Sequence, residues 1–403
     1  MSLKTLSKEV PFLKNMFLSN NKNQKSLAIA LLIATLCLAI IGCVFVYSAS
    51  FYSAKITYGD SYHFLTKQIV GVCLGVGAML FMWWFDYHKL QKFIYVILGV
   101  GIAVLVLVLI PGIGIENYGA RRWIALPGFT IQASEISKMC YIIFCAGYLS
   151  KNREKIKTLK GILPIVVSGG VTCLLILLEP NMSITICTGL IMMTMLFVGG
   201  VSFKHFLLLC IPAVLLVPIL IIAEPYRLKR LLAFIDPWAN PKGEGYQLVQ
   251  SLYSLGAGGL FGVGLFNSRQ KYLFLPFAES DFIFAIIAEE IGFVGVVCIV
   301  LLFGVILYCG IKIAKNAADL FGCFLAVGIT ALICIQVLVN IAVVTGSIPP
   351  TGLPLPFISA GSSSVIVMLS GIGLLLGINR LSCKIKNKRP AVNGGSFCYM
   401  ILL

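Results

Sequence analysis

Short polar segments break the chain of 403 residues into about ten apolar runs, most of them near the roughly 17–25 residues a helix needs to cross a bilayer. They fall at 27–49, 68–85, 93–110, 136–150, 161–179, 183–200, 205–223, 282–308, 320–344 and 362–379. Nothing else constrains the fold as tightly. In hydrocarbon every backbone polar group must find its partner inside the protein, which leaves helices and closed barrels. Composition agrees: 59% of residues are hydrophobic, 11% are charged and mean hydropathy is +0.99, which excludes a soluble globular protein. The expected fold is therefore an all-α integral membrane protein of about ten transmembrane helices, with a large extracytoplasmic loop between helices 7 and 8. The first run is too long and too late in the chain for a cleaved signal peptide, so it reads as a retained span. The fourth is short, and a tilt or a break near Gly147 is expected there.

Residues 1–26 form a polar, Lys/Asn-rich tail, 27–380 one helical domain containing the 224–281 loop, and 381–403 a basic tail ending in the apolar SFCYMILL. With both termini cytoplasmic, 20 of the 31 Lys and Arg lie on the inside, chiefly in the two tails and in KNREKIKTLK (151–160). That is the direction of the positive-inside rule. The net charge of +16 thus reflects topology and anionic lipid headgroups, and no soluble surface is left over for nucleic acid. Of the 14 cysteines, none lies in an outer loop where oxidation would bridge it, and His63, His88 and His205 are far apart, so neither a disulfide scaffold nor a structural zinc site is expected.

The cations on the outer side are clustered: Arg121-Arg122, Arg227-Lys229-Arg230, Lys242, and Arg269-Lys271, with Lys138 at a helix start. Positive charge is normally avoided there. Snorkelling to headgroups is one account; an anionic ligand at the outer leaflet is the other. Residues 225–290 interrupt the apolar pattern with a long, charged, aromatic, glycine-punctuated stretch that delivers Asp281 to the start of the next apolar run. A carboxylate there can be an N-cap, or an ionised base facing water. Glu289 and Glu290 lie roughly 12–14 Å deeper at 1.5 Å per residue, where structural pairing inside the bundle is the expected role. The segment 111–138 reads as a Gly/Pro-broken loop with Trp123 at the interface, followed by Ser134 as N-cap and Glu135 in the first helical turn. TGSIPPTGLPLPFISAGSSS (345–364) reads as a cavity-lining loop whose serines either cap the next helix or bind an anion through it.

These motifs carry a family resemblance. GARRWI (119–124), QASE with Lys138, EPNMS (179–183), the YRLKRLLAFIDPW…GYQLVQSL run, GLFNSRQK (264–271), DFIFAIIAEEIG (281–292) and TGLPLPFISAGSSS resemble the SEDS proteins (shape, elongation, division and sporulation) over nearly all of 27–380. Within them the ARRW and SRQK stretches resemble the FtsW division branch more than the RodA branch. The resemblance implies polymerisation of lipid II, with a class B penicillin-binding protein and other division proteins as partners, in the bacterial inner membrane at the division site. Asp281 matches the family's essential aspartate. The sequence departs from the family pattern at Ala133 (Pro), Asn181 (Asp), Glu279 (His) and Ala360 (Tyr), and Glu279 places a second carboxylate beside Asp281.

The implied chemistry is an inverting displacement of a lipid-linked diphosphate by an acceptor hydroxyl. The diphosphate leaves without an acid, so one base suffices, unlike the paired carboxylates of glycoside hydrolases. Cations must stabilise the departing charge, supplied by Arg and Lys or by a divalent metal, Mg or Mn. The expected site comprises Asp281 as base and Arg121, Arg122, Trp123, Glu135, Lys138, Arg227, Arg230, Gln247, Arg269, Lys271, Ser359 and Ser363 as substrate contacts. Two other readings stand beside it. A flippase for the lipid-linked precursor should carry its polar site near the midplane, and a non-catalytic division scaffold would not need Asp281.

Overall fold

The computed structural model describes residues 22–117, 120–126 and 129–388. The 1–21 tail and residues 389–403, which include SFCYMILL, lie outside the described residues. Each of the ten apolar runs folds as a helix. In chain order these are α1 (Lys22–Tyr58), α2 (His63–Trp84), the short α3 (His88–Lys92), α4 (Ile94–Leu109), α5 (Ala133–Lys151), α6 (Leu159–Leu178), α7 (Met182–Val198) and α8 (Phe203–Ile222). Two helices of the long connection follow, α9 (Pro225–Ile235) and α10 (Tyr246–Gly258), then α11 (Ile283–Asn316), α12 (Leu320–Val344) and α13 (Ser362–Lys388). Among the described residues seven helices are long and apolar enough to cross a membrane: α1, α2, α6, α8, α11, α12 and α13; α4 and α7 are shorter apolar helices. The chain is a multi-pass membrane protein.

Two local expectations are corrected. α5 is continuous through Gly147 over 19 residues. The glycine serves close packing instead, since a Cβ there would stand 2.4 Å from Ile94 of α4. The 111–132 segment is not an open loop. It folds as a three-stranded antiparallel sheet of β1 (Gly114–Asn117), β2 (Ala120–Leu126) and β3 (Phe129–Gln132), in that order, with Trp123 paired to Gln132 and Ile115. The sheet bonds its own backbone at one end of an otherwise helical molecule.

Helices α2 and α13 pack closely because small residues face each other: a Cβ on Gly75 would lie 2.6 Å from Leu369, and one on Gly373 2.3 Å from the Met79 carbonyl. α12 runs through the middle, its Phe324, Leu325, Leu332 and Ile329 buried against α5 and α7. α8 is the opposite case, with Leu207, Ile211, Val214, Leu215 and Ile219 all exposed, as lipid-facing side chains are.

The 224–282 connection does more than cross one end of the bundle. α9 lies there, with Lys229, Leu232 and Ile235 all exposed. α10 then runs inward along α11 until Gly258 meets the Ala288 carbonyl. α11 is broken at Gly292, whose φ of 66° and ψ of −172° are not helical. The break frees backbone groups, and the returning chain takes them: Phe293 and Val294 amides donate to the Gly259 and Leu260 carbonyls (3.0 and 3.1 Å), and Val263 and Gly264 amides to the Glu289 and Glu290 carbonyls (2.9 and 3.0 Å). Non-helical backbone at this depth is tolerated only when protein satisfies it. From there residues 272–281 climb back to Asp281.

Candidate active site

Asp281 sits at the top of that return, just before α11. It is not the helix cap; Phe282 occupies that position and no side chain caps the helix. The Asp281 carboxylate instead faces the 345–361 loop, where a Cβ on Gly352 would lie 3.1 Å from its Oδ2, so glycine leaves the space above the carboxylate open. Its backbone is fixed from several sides. Asn340 of α12 donates to the carbonyls of Asp281 and Leu353, both at 2.8 Å. Ser359 Oγ donates to the Ser280 carbonyl (2.7 Å) and accepts from the Leu355 amide (2.8 Å), and the Ala360 amide donates to the Glu279 carbonyl (2.9 Å). The Gln247 amide group reaches the Pro276 carbonyl at 3.1 Å. These bonds join both long loops around one carboxylate.

Burial pushes Asp281 up to about 6; the charges of Arg230 and Arg122 oppose the rise, and Glu279 adds to it. Glu279 is itself raised by burial. Two guanidiniums from distant parts of the chain thus lie within Coulombic range of the same carboxylate. Arg122 comes from β2, its Nε donating to the Glu179 carbonyl (3.0 Å) and its Nη2 to the Pro180 carbonyl (2.6 Å). Arg230 comes from α9 and donates to the Pro350 carbonyl at 3.5 Å. Nearby, Ser183 Oγ accepts from the Gly352 amide (3.2 Å), and Asn181 caps α7 through the Ile184 amide (3.2 Å). Asparagine therefore does the capping work an aspartate could do there.

Other expected contacts are placed elsewhere. Arg121 alternates with Arg122 along β2 and pairs on the surface with Glu116 at 3.0 Å. Trp123 is held in the sheet. Arg227 bonds the Leu220 carbonyl at the end of α8 (3.0 Å). Ser363 Oγ accepts from the Gln132 amide (3.3 Å), tying β3 to α13. Ser134 does not cap α5: the helix starts at Ala133, and Ser134 is buried in its first turn. Glu135 and Lys138 form a fully buried ion pair at 2.7 Å. Lys271, expected among the substrate cations, is buried with its ammonium 3.0 Å from Glu290, while Arg269 is exposed beside it. Glu289 and Glu290 are paired inside the bundle, as their depth required. Asn340 is the residue that sequence reasoning missed; its signal is one of two amides, with Gln336, in an otherwise apolar run.

Among the described residues no three His, Cys, Asp or Glu side chains come together to hold a metal ion, and the cysteines carry no disulfide.

The Cell cycle protein family, FTSW_RODA_SPOVE, matches residues 29–384. The chain belongs to this family. It is 43% identical over 357 residues to Stage V sporulation protein E of Bacillus subtilis strain 168, covering 87% of this chain and 96% of the relative. It is 40% identical over 353 residues to the probable peptidoglycan glycosyltransferase FtsW of Trichlorobacter lovleyi, covering 87% and 92%. Among solved structures it resembles a chain from a study of polymerization and crosslinking by a peptidoglycan synthase complex, at a TM-score of 0.73 and 26% identity over 87% of this chain and 97% of that one. The rod shape determining protein RodA of Thermus thermophilus aligns at a TM-score of 0.65 and 25% identity, over 87% and 95%.

Proposed function

We propose that this chain is a peptidoglycan glycosyltransferase that polymerises lipid II, moving the growing glycan from its lipid diphosphate carrier onto the acceptor hydroxyl with inversion. The observation that carries the site assignment is a partly accessible Asp281 held where the two long loops meet, with Arg122 and Arg230 within Coulombic range of it. The carboxylate accepts the proton of the attacking hydroxyl, and the guanidiniums stabilise the departing diphosphate, which they can grip in bidentate fashion. Gly352 leaves room above the carboxylate for the reacting groups. The site opens at the end of the bundle that we assign to the outer face, with a class B penicillin-binding protein as partner; the similarity to a chain from a peptidoglycan synthase complex supports an assembly of that kind.

Purified protein supplied with lipid II should make glycan strands, and Asp281→Asn should abolish synthesis while expression and partner binding persist. Near-normal strand formation by the variant would remove Asp281 as the base. The 43% identity to a sporulation protein favours a second reading of when the enzyme acts, in spore envelope formation rather than vegetative division. Deleting the gene separates the two: filamentous growth marks division, and loss of spores alone marks sporulation.

A further inference from the structure

Glu289 and Glu290, buried side by side where α11 breaks, take their partners from two other parts of the chain. Glu290 Oε1 accepts from the Ser48 hydroxyl of α1 (2.6 Å), the Lys271 ammonium (3.0 Å) and the Ser268 amide (3.3 Å). Glu289 accepts from the Ser268 hydroxyl (2.5 Å) and the Arg269 amide (2.9 Å). Lys271 also donates to Ser48 at 3.2 Å and lies 5.1 Å from the centre of the Phe51 ring. The chain from Lys271 to Glu290 is thus a loop closed at its base by a buried ion pair, with Asp281 at its apex. Its path is strained: Leu273 and Phe277 both have left-handed backbone, with φ of 68° and 55°. Bulky residues hold that conformation only where the surroundings impose it.

A buried ion pair adds little net stability against an apolar replacement, so its presence asks for another role. We infer that Lys271 is a positioning residue for Asp281. Its ion pair with Glu290, braced by Ser48, fixes the depth at which residues 272–281 leave the bundle, and with it the place of the carboxylate relative to Arg122 and Arg230. The inference rests on Asp281 being the base proposed above. It moves Lys271 from the substrate-binding cations to the scaffold behind the base.

The test uses the full chain in nanodiscs, as wild type, Lys271→Met and Ser48→Ala; the last keeps the ion pair and removes its brace. Misplacing a reacting group by about 1 Å can cost on the order of a hundredfold. Turnover by folded Lys271→Met should fall to that extent with KM changed less than about twofold, and Ser48→Ala should fall between it and wild type. A second readout needs no activity: carbodiimide-driven amidation of Asp281 by glycine ethyl ester, followed by mass spectrometry, should proceed at a changed rate in both variants. Should Lys271→Met fail to fold, Ser48→Ala carries both readouts. Wild-type turnover and wild-type amidation rates in the folded variants would overturn the inference. A wild-type chain that makes no glycan would sink the glycosyltransferase reading instead, and the amidation rates would still decide the positioning role.

Discussion

At the scale of single residues, the two adjacent arginines of the ARRW motif part company. Arg122 addresses Asp281 and Arg121 pairs with Glu116 on the surface. Arg122→Gln should lose one or more charge-assisted bonds to the diphosphate, roughly 1.5–3 kcal/mol each, and so at least about tenfold in turnover. Arg121→Gln breaks an exposed pair worth about 0–1 kcal/mol and should leave turnover within about twofold. Unchanged turnover in the Arg122→Gln protein as well would remove the pair from the site and leave headgroup snorkelling standing. The pH profile tests the base itself. Asp281 must be ionised to act, so the rate should fall on the acid side near pH 6, the value to which burial raises it. Glu279→Gln removes a negative neighbour and should move that limb to lower pH; Arg230→Gln removes a positive one and should move it higher. Stability has the opposite sign. An acid whose folded value lies above its unfolded one makes the fold less stable as pH rises between the two, so at neutral pH Asp281→Asn should melt no lower than wild type. The sequence placed Asp281 but could not rank the cations. Strand alternation would have separated Arg121 from Arg122, yet the glycines and prolines around them hid the strand, and the Lys271–Glu290 pairing is a tertiary contact that local pattern does not carry.

At the scale of elements, apolar run length was enough to find every long helix, because in hydrocarbon length and hydropathy are themselves the physical requirement. The re-entrant path of α10 and residues 259–271 was not legible in that way. Its polar and glycine-rich composition fits an interfacial loop equally well, and only the break at Gly292 shows which backbone groups receive it. Gly262 is the position that return depends on. Its φ is 79°, and a Cβ there would stand 2.2 Å from the Glu290 carbonyl oxygen, a backbone atom with little freedom to move. Gly262→Ala combines left-handed strain with that clash and should cost at least about 1–3 kcal/mol. Thermal unfolding of the purified protein should show a lowered Tm, with earlier proteolysis between α10 and α11. A melting curve superimposable on wild type would mean the segment does not pack against the break as described.

At the scale of the whole molecule, the two ends differ in the job their charges do. At the Asp281 end the cations are tied into loops around a carboxylate. At the other end lie the 151–160 stretch with five Lys and Arg, and His88, whose imidazole is pushed up to about 9 by hydrogen bonds to Asp319 and then Asp86 despite burial. His88 therefore offsets the Asp86 and Asp319 carboxylates, and the Lys and Arg of the 151–160 stretch supply the positive charge expected of a cytoplasmic end. We propose that all ten apolar helices cross the membrane, an even number that would put both termini on that side and Asp281 on the other. Single cysteines introduced by Lys242→Cys and Arg153→Cys into a cysteine-depleted chain test this. A membrane-impermeant maleimide should label position 242 in intact cells or spheroplasts, and position 153 only after the membrane is permeabilised. The reverse pattern would put Asp281 on the cytoplasmic face, where a flippase or scaffold would be the better reading of the same residues. The expected pattern places the carboxylate and its two arginines on the face where lipid-linked glycan is polymerised, leaving the basic end to anchor the bundle against anionic headgroups.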